Sequence, residues 1–569
     1  MKRLRLLLVL LLLAILLIGA WLWFGVPSKV DLADYAPADS LVYVEFNSLA
    51  DVARAIQQTD AWKAAAPITH SKPANENRLF TAAARAGIGP IESVLFARTQ
   101  VALVVVGLNT IEEDQTLRLR PEIALIAETH TSRWRTKPVM MDVVRRLTNY
   151  TYGASQCVGR SGDSDRFECS LPGGDRKLIG VIQGTAIILA NSDTALASCL
   201  DVRKGTRPSL RTDSEFAGVR SSVVTPQSLG FGYVSSANSA KLFSWAAPLF
   251  TGLAAVDQQM QQLMATSAGK ILRGLAWTAT PSNGGIEDRF LFSLEPSVVS
   301  RLQPAFQRVE HGDDFWKIVP GNVQSLTIYR SSNLLEAWNA LNSTVSQKLD
   351  AVPAVLFGSI LKSSLAIYGI SDPMEALYAL SPPVVTMRAS AEAEGSVLIG
   401  RTTQEVFAVG SLERHLSQSN KVQIVYGWKV DPDLGKEFMA VFADDHAIIG
   451  KTENVRAYLL TLQNGQAAVT EAKQKMQQAE RESNAAIITY ANDEARLTSF
   501  ISTLLLLQGR RLSNDDLVQL QNTLRSSFAA TETRLSASGI ERKTHSAFGQ
   551  FGTLAALLQP NPQNSVGHQ

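Results

Sequence analysis

Residues that could do chemistry are few in this chain and lie far apart. No two of the seven histidines fall within one helical turn, and neither a zinc-protease motif nor a Cys-x-x-Cys pair occurs. A Gly-x-Ser-x-Gly nucleophile elbow is also missing. We therefore expect no catalytic, cofactor-binding or metal-binding residues. The histidines are His70, His130, His311, His415, His446, His545 and His568.

The stretch Gly450-Lys451-Thr452 resembles the end of a phosphate-binding loop, because it follows an apolar strand and precedes a helical pattern. The full loop needs a glycine five residues before its second glycine, and Asp445 stands there instead. Its carboxylate would repel phosphate. The stretch is better interpreted as a strand-to-helix turn in which Thr452 caps the helix.

The three cysteines predict one disulfide and one free thiol. Cys157 and Cys169 flank a polar loop in a segment that has no counterpart later in the chain, so a bridge would give this loop the constraint that a core does not. Closing so short a loop is worth about 3 kcal/mol in the chain-entropy model. The alternative is two unpaired cysteines on a loop. Cys199 takes the place of Leu459 on a helix face, which predicts a buried free thiol.

The chain contains an internal repeat, which predicts the elements that carry these residues. Gly180 to Leu200 and Ala440 to Leu460 share one pattern, which predicts a hairpin followed by a helix. Further landmarks match in order. Their spacing falls from 283 residues near the start to 254 near the end, as tandem duplication with small insertions or deletions predicts. The matched pairs are Pro37 and Pro320, Pro90 and Pro373, Ala190 and Gly450, Tyr233 and Tyr490, and Gly285 and Gly539.

The repeat predicts an α+β fold with two tandem homologous halves. Strands and helices are mixed without regular alternation, and several strands look hairpin-linked, so each half should be an antiparallel sheet with packed helices. We expect the matched pairs to superpose. The predicted segments are a spacer at 27–36, a first half at 37–297, a linker at 298–315, a second half at 316–558 and a disordered tail at 559–569.

The N-terminus predicts a transmembrane anchor. Residues 1–5 are a basic cytoplasmic segment, and residues 6–26 are uncharged, long enough as a helix to cross about 31 Å at about 1.5 Å per residue. Basic residues that flank a transmembrane helix stay cytoplasmic, so the bulk of the chain should be periplasmic. The protein would then be a single-pass protein of the inner membrane. The oxidising periplasm would permit the disulfide. A cleaved secretory signal is the competing interpretation.

Composition sets further bounds. Apolar residues make up 46% and charged residues 19% of the 569 residues, which is typical of a globular protein. The net charge of +2 requires no basic face, so nucleic acid is not an expected partner.

The anchor, the Pro-x-Asp-Ser opening at Pro37 to Ser40 and the hairpin-helix units at Ile187 to Leu200 and Ile448 to Leu460 carry a resemblance. Together they resemble a bacterial family catalogued as domain of unknown function 3352. The resemblance implies a membrane-anchored bacterial envelope protein. It implies no activity and no site residues.

These observations predict only a broad class of function. We expect a non-enzymatic binding or assembly module that contacts the membrane through its N-terminal helix, with an envelope protein or a lipid as candidate partner. The alternative is a carrier for lipid or another apolar ligand, with a pocket between the halves. A further alternative is an enzyme whose site has no recognisable motif. A flat exposed apolar patch would favour the binding or assembly module. A deep apolar cavity would favour the carrier, and clustered buried carboxylates would favour the enzyme.

Overall fold

The computed structural model describes most of the chain from residue 27 onward. The described residues are 27–69, 84–85, 87, 90–113, 116–152, 156–159, 166–170, 177–239, 242, 269–310, 313–321, 323–348, 365–389, 395–403, 406–429, 435–463, 470–507, 510 and 512–556.

The strands of the described part are rich in β-branched and aromatic residues, and most are short. In chain order they are β1 Val42–Phe46, β2 Gln100–Glu113, β3 Thr116–Glu128, β4 Gln156–Gly159, β5 Arg166–Ser170, β6 Lys177–Gln183, β7 Ala186–Ala190, β8 Gly230–Ser235, β9 Leu272–Ser282, β10 Gly285–Leu294, β11 Ser325–Tyr329, β12 Leu380–Arg388, β13 Val397–Thr402, β14 Val422–Tyr426, β15 Phe438–Ala443, β16 His446–Lys451, β17 Ile487–Asn492, β18 Phe528–Ser536 and β19 Gly539–Ser546.

The α-helices of the described part begin mostly at polar caps such as Ser48, Ser192 and Ser513, whose side chains accept a backbone N–H. In chain order they are α1 Leu49–Gln57, α2 Asp60–Thr69, α3 Ile91–Arg98, α4 Arg133–Tyr152, α5 Asp193–Arg203, α6 Ser214–Val223, α7 Pro296–Leu302, α8 Leu334–Lys348, α9 Pro373–Ala379, α10 Val406–Gln418, α11 Thr452–Thr461, α12 Glu471–Glu482, α13 Glu494–Leu507, α14 Asn514–Leu524 and α15 Gly549–Ala556. Short 3-10 turns include Leu32–Tyr35 and Asp313–Ile318.

All nineteen strands of the described part join one sheet. The pairings give the spatial order β4-β5-β6-β7-β3-β2-β1-β8-β9-β10 in the first half and β19-β18-β17-β11-β12-β13-β16-β15-β14 in the second. Each half therefore has its first strand in the middle of its ladder. The halves meet where β10 pairs antiparallel with β19.

Helices cover both faces of this sheet, because side chains alternate between the faces along each strand. One face packs on α5 and α6 in the first half and on α11 and α12 in the second, forming two large cores. The opposite face packs on α4 in the first half, on α10 in the second, and on α2, α13, α14 and α15 around the junction. The result is a three-layer arrangement with the sheet in the middle.

The two halves share the same ladder. Phe46 of β1 pairs with Val101 of β2, and Tyr329 of β11 pairs with Val384 of β12, so both members are 283 residues apart. The strand register also pairs Tyr233 of β8 with Tyr43 of β1, and Tyr490 of β17 with Leu326 at the matching place of β11. Because the equivalent strands β10 and β19 run in opposite directions, an approximate two-fold axis relates the halves. Superposition of the predicted pairs, and the segment boundaries, stay predictions.

Two sequence-based expectations of the fold need correction. The α+β class agrees with the structure, but the halves do not have separate sheets, since β10 and β19 continue one sheet across the junction. The sheet is also not wholly antiparallel, because β14 runs parallel to β15.

The expected membrane anchor is not retained. Among the residues that the structure describes, no helix is long and apolar enough to cross a membrane. This finding overturns the expectation of a single-pass inner-membrane protein with a periplasmic bulk. Residues 1–26, on which that expectation rested, lie outside the described residues, as does the expected tail at 559–569.

The segment expected to be a spacer is a packed part of the first half. Leu32, Ala33 and Tyr35 of its 3-10 turn are buried in the first core. The expected linker likewise contains α7, and Arg308 forms a bridge to Ser331. Both segments pack because they carry apolar residues that become buried, such as Leu32 in the first and Val298 in the second.

A cationic cleft in the first half

The predicted chemistry-bearing residues do not converge. Within the described ranges, no group of three or more His, Cys, Asp or Glu side chains could hold a metal ion. His415 contacts Ser371, and His446 contacts its neighbour Asp445. His130 differs, because it lines a cleft described below. His70, His311 and His568 lie outside the described residues.

The turn at Gly450-Lys451-Thr452 joins β16 to α11, as the sequence predicts, but the cap differs. Lys451 is the capping residue and its side chain makes no cap bond. Thr452 lies inside the helix and its hydroxyl donates to the Lys436 carbonyl over 2.6 Å. The expected Thr452 cap is therefore wrong, whereas Ser192 caps α5 by accepting the Ala195 N–H.

The cysteines lie where the predicted bridge requires them. The register of β4 and β5 places Cys157 opposite Cys169, and Cys169 is disulfide-bonded. Cys199 is a free, buried cysteine in the first core, where burial raises its pKa to about 12. These facts support the Cys157–Cys169 bridge, which stays a prediction for mass mapping under non-reducing conditions.

A cleft opens where β1 ends and the chain turns into α1. It has two adjoining lobes of about 120 and 250 Å³ that share four lining residues: Lys29, Asn47, Ser48 and Asp51. Arg85, Arg98, Gln100 and His130 complete the first lobe, and Arg54, Gln58, Gln227 and Ser228 lie in the second. We name the two lobes together the cationic cleft.

The wall shared by both lobes is the first turn of α1. Ser48 has an extended backbone and its hydroxyl accepts the Asp51 N–H at 3.2 Å, which is the usual way to satisfy an otherwise unpaired helix amide. The Leu49 N–H donates to the Thr99 carbonyl. These bonds fix the end of β1 against the start of β2, so the cleft has a rigid wall.

Asp51 forms ion pairs with two of the arginines. Its Oδ1 accepts Arg54 Nη1 at 3.1 Å and also pairs with Arg85. Burial raises the pKa of Asp51, but Arg85, the Ser48 hydroxyl and Arg54 outweigh that effect and hold the pKa below its ordinary value. Asp51 is therefore ionised at neutral pH, and its charge is already balanced by arginine.

Gln100 and His130 form the floor of the first lobe. The buried Gln100 amide binds both the N–H and the carbonyl of Val30, at 2.9 and 3.0 Å. Its oxygen also lies 2.8 Å from His130 Nε2, so Nε2 carries the proton, since an amide oxygen only accepts. Burial lowers the pKa of His130, and Arg98 lowers it further against the opposing effect of Glu128. His130 is thus a neutral positioning group at neutral pH, and its φ of 49° is unusual for a non-glycine residue.

A partly buried ion network binds the same N-terminal segment. Arg220 donates to both oxygens of Asp31 at 2.9 Å and to Glu45 at 2.6 Å. Glu45 is fully buried and also accepts the Tyr43 hydroxyl. Burial raises the pKa of Glu45 even though Arg220 and Tyr43 oppose the shift. The network holds Asp31, and with it the Val30 backbone, against the sheet.

The equivalent place in the second half is filled by an arginine. Asn47 and Arg330 each follow the last residue of equivalent strands, β1 and β11. The Arg330 side chain is 1% exposed and donates to the carbonyls of Glu480, Ser483 and Ala485, while also pairing with the Glu480 carboxylate. The loop it reaches, 483–486, precedes β17, as loop 224–229 precedes β8 in the first half. Asn47 is too short to make these contacts. The cleft of the first half is therefore open at the place that the Arg330 side chain fills in the second half.

The charge of the cationic cleft is unbalanced. Its lining includes Lys29, Arg54, Arg85 and Arg98 against the single carboxylate of Asp51. Arg98 donates to the Arg85 and His130 carbonyls. Within the described residues, Lys29 and the Asn47 amide make no hydrogen bond or ion pair. The cleft therefore presents an excess positive charge and uncommitted donors, which suit a bound anion.

Each half also exposes an aromatic residue at the start of an equivalent helix. Trp134 in α4 is 77% exposed and Phe407 in α10 is 76% exposed. An arginine lies over each ring, Arg135 at 5.8 Å and Arg414 at 5.7 Å from the ring centroid. Phe96 and Tyr378, in the last turns of the preceding helices, are also exposed. These side chains contribute surface rather than core.

Sequence reasoning did not identify this cleft. Its residues come from the N-terminal segment, the end of β1, α1, α3 and two loops, so no local spacing marks them. The repeat did hold one usable signal, because aligning Asn47 with Arg330 shows an amide where the other half has a cation. His130, which no other histidine accompanies in the sequence, contacts Gln100 only in the folded chain.

Comparison of the chain with protein-family models, curated proteins and solved structures finds no match. The family resemblance read from the sequence therefore stays untested, and the function must be argued from the site.

Proposed function

We propose that the protein is a non-enzymatic binding module whose ligand site is the cationic cleft of the first half. The observation that carries the proposal is the contrast at equivalent positions: Arg330 fills the site in the second half, and Asn47 leaves it open in the first. A side chain that fills one copy of a duplicated site indicates that the other copy is available to something from outside the chain.

Binding is favoured over catalysis by the state of the titratable groups. The His130 ring is bound to the Gln100 amide, and Asp51 is paired with two arginines. A general base works best when its pKa lies near the working pH, whereas arginine partners hold the pKa of Asp51 below its ordinary value and burial lowers the pKa of His130. The arrangement positions donors without supplying a nucleophile and its base.

An apolar carrier is less consistent with the same geometry. A long apolar ligand would have to cover the charged groups of Lys29, Arg54 and Asp51, which costs several kcal/mol for each ion that loses water. The charged rim of this cleft instead suits a small polar ligand.

The test copies the second half into the first. The variant Asn47→Arg places a guanidinium where Arg330 lies, and the variant Ser222→Arg adds the same charge at an exposed position of α6 as a control. Thermal unfolding is measured with a panel of small carboxylic acids, sugars, amines and phosphate esters. A ligand at one hundred times its Kd should stabilise the wild type by about 2.7 kcal/mol.

The expected result is at least one compound that stabilises the wild type and Ser222→Arg but not Asn47→Arg. If every compound that stabilises the wild type stabilises Asn47→Arg equally, the ligand site is not this cleft and the proposal fails.

A further inference from the structure

We infer that the cationic cleft recognises a single carboxylate group on a small molecule, with Lys29 supplying the counter-charge and the Asn47 amide a second donor. The inference rests on the proposed function, because it names the ligand class of the same site. It starts from which donors of the cleft are already used and which are not.

The three arginines are committed within the protein. Arg54 and Arg85 pair with Asp51, and Arg98 donates its Nε to the Arg85 carbonyl at 2.8 Å and its Nη1 to the His130 carbonyl at 3.2 Å. Such contacts hold the guanidinium groups in fixed planes along the wall. Their charge still attracts an anion, and at least one N–H group of each of them is directed to a protein acceptor.

In the part of the chain that the structure describes, Lys29 and Asn47 are the two donors without a partner that line both lobes. Both line both lobes, and neither has a hydrogen bond or ion pair within the described residues. An ammonium and an amide N–H together match the two oxygens of one carboxylate. A charge-assisted bond from an ammonium is about twice as strong as a neutral one, so Lys29 should dominate the affinity.

Asp51 limits the charge of the ligand. Its carboxylate lies in the wall between the lobes and is ionised, because the nearby arginines hold its pKa below the ordinary value. Although Arg54 and Arg85 pair with Asp51, a second negative charge on the ligand would still lie near the one acidic side chain of the lining. A monoanion is therefore preferred over doubly charged phosphate.

The size of the cleft limits the rest of the molecule. Lobes of about 120 and 250 Å³ are smaller than the pockets that hold drug-sized ligands, which run from about 300 to 1,000 Å³. The remaining lining includes the carboxamides of Gln58 and Gln227 beside Ser228. These groups suit a short polar acid that carries an amide or hydroxyl beside its carboxylate.

The experiment uses three probes on the full chain: acetylglycine, its uncharged amide acetylglycinamide, and inorganic phosphate. Binding is followed by ligand-observed NMR titration at pH 7 in low salt. The variants are Lys29→Met, Asn47→Arg and, as a matched control, Lys204→Met, which removes an exposed lysine outside the cleft. Circular dichroism and thermal unfolding establish that each variant is folded.

We expect acetylglycine to bind the wild type and Lys204→Met alike, to bind Lys29→Met about tenfold more weakly or worse, and not to bind Asn47→Arg. Added sodium chloride should weaken binding to the wild type. Acetylglycinamide should not bind.

Three outcomes would overturn the inference, and they differ in whether the proposed function survives. Equal binding of acetylglycinamide, lost in Asn47→Arg, would show a cleft that binds ligands without recognising a carboxylate, so the proposed function would survive. Tighter binding of phosphate would have the same consequence. Acetylglycine binding that is unchanged in Lys29→Met and Asn47→Arg, or no binding at all, would exclude a carboxylate site here, while the compound panel above decides the proposed function independently.

Discussion

The two halves share a ladder but differ in what they bury at its centre. Equivalent positions hold Tyr43 and Glu45 in the first half and Leu326 and Ile328 in the second. The same strand therefore carries a buried acid paired with Arg220 in one half and only hydrocarbon in the other. The fold does not require the charge, because the second half forms the same pairing without it. The ion network instead holds the N-terminal segment that borders the cleft.

The second difference lies at the end of this strand. In the first half the cations face an opening, whereas in the second half Arg330 turns inward and is satisfied by a carboxylate and three carbonyls. The second half thus buries its cation, whereas Lys29 of the first half lines an open cleft. This contrast predicts losses of stability that differ in size between matched substitutions.

The largest expected effect on stability is at Arg330. Arg330→Met should cost about 3–5 kcal/mol of unfolding free energy, because it removes the guanidinium charge that faces the buried Glu480 carboxylate. Asn47→Met at the equivalent open position should cost less than about 1 kcal/mol. Chemical denaturation of both variants measures the difference. Similar losses at the two positions would mean that the halves do not differ as described.

The partly buried ion network of the first half should be replaceable by the apolar set of the second. Arg220→Leu alone leaves Glu45 charged and buried, which should cost about 3 kcal/mol or more. The triple variant Tyr43→Leu, Glu45→Ile, Arg220→Leu should recover at least about 1 kcal/mol of that loss. A triple variant less stable than Arg220→Leu would show that the first half needs these ions for its fold.

The junction between the halves should respond to pH through Asp288. This buried residue of β10 accepts the Trp277 indole N–H and the Gln550 N–H at the start of α15, both at 2.9 Å. Burial raises its pKa to about 6, although those donors and Arg496 oppose the shift. A raised folded-state pKa means that its protonated form stabilises the protein fully below pH 4, and that this contribution is lost as the pH rises through about 6.

A shift of about 2 pKa units corresponds to about 3 kcal/mol between pH 4 and pH 7. Asp288→Asn cannot ionise, so the stability difference between the wild type and this variant should change by that order over the window. Urea unfolding at a series of pH values measures it. A difference that stays constant with pH would exclude Asp288 as the titrating group.

The smallest expected effects are at the exposed aromatics. Trp134→Ser and Phe407→Ser occupy equivalent positions in α4 and α10 and should each change the unfolding free energy by no more than about 0.5 kcal/mol. Denaturant midpoints of the two variants measure this. A loss of several kcal/mol in either would mean that the ring is part of a core.

Much of the architecture could be predicted because it follows from local patterns. A continuous apolar run and the cap at Ser192 mark the hairpin β6–β7 and the helix α5 that follows it, and their recurrence marks the second half. The continuous sheet could not be predicted, since the β10–β19 pairing joins residues about 250 apart with no local signal. The same holds for the cleft, where Lys29 and Asn47 meet arginines from α1, α3 and their neighbouring loops only in the folded chain.

The most direct test of the central claim is a crystal structure of the Asn47→Arg variant. If the cationic cleft is the open counterpart of the place that Arg330 fills, the introduced guanidinium should turn inward and lie about 3 Å from the Ser228 carbonyl oxygen, as Arg330 lies by Ala485. The two halves should then superpose with the Asn47→Arg side chain on Arg330. A guanidinium that extends into solvent, with the cleft still open, would contradict the equivalence of the two sites.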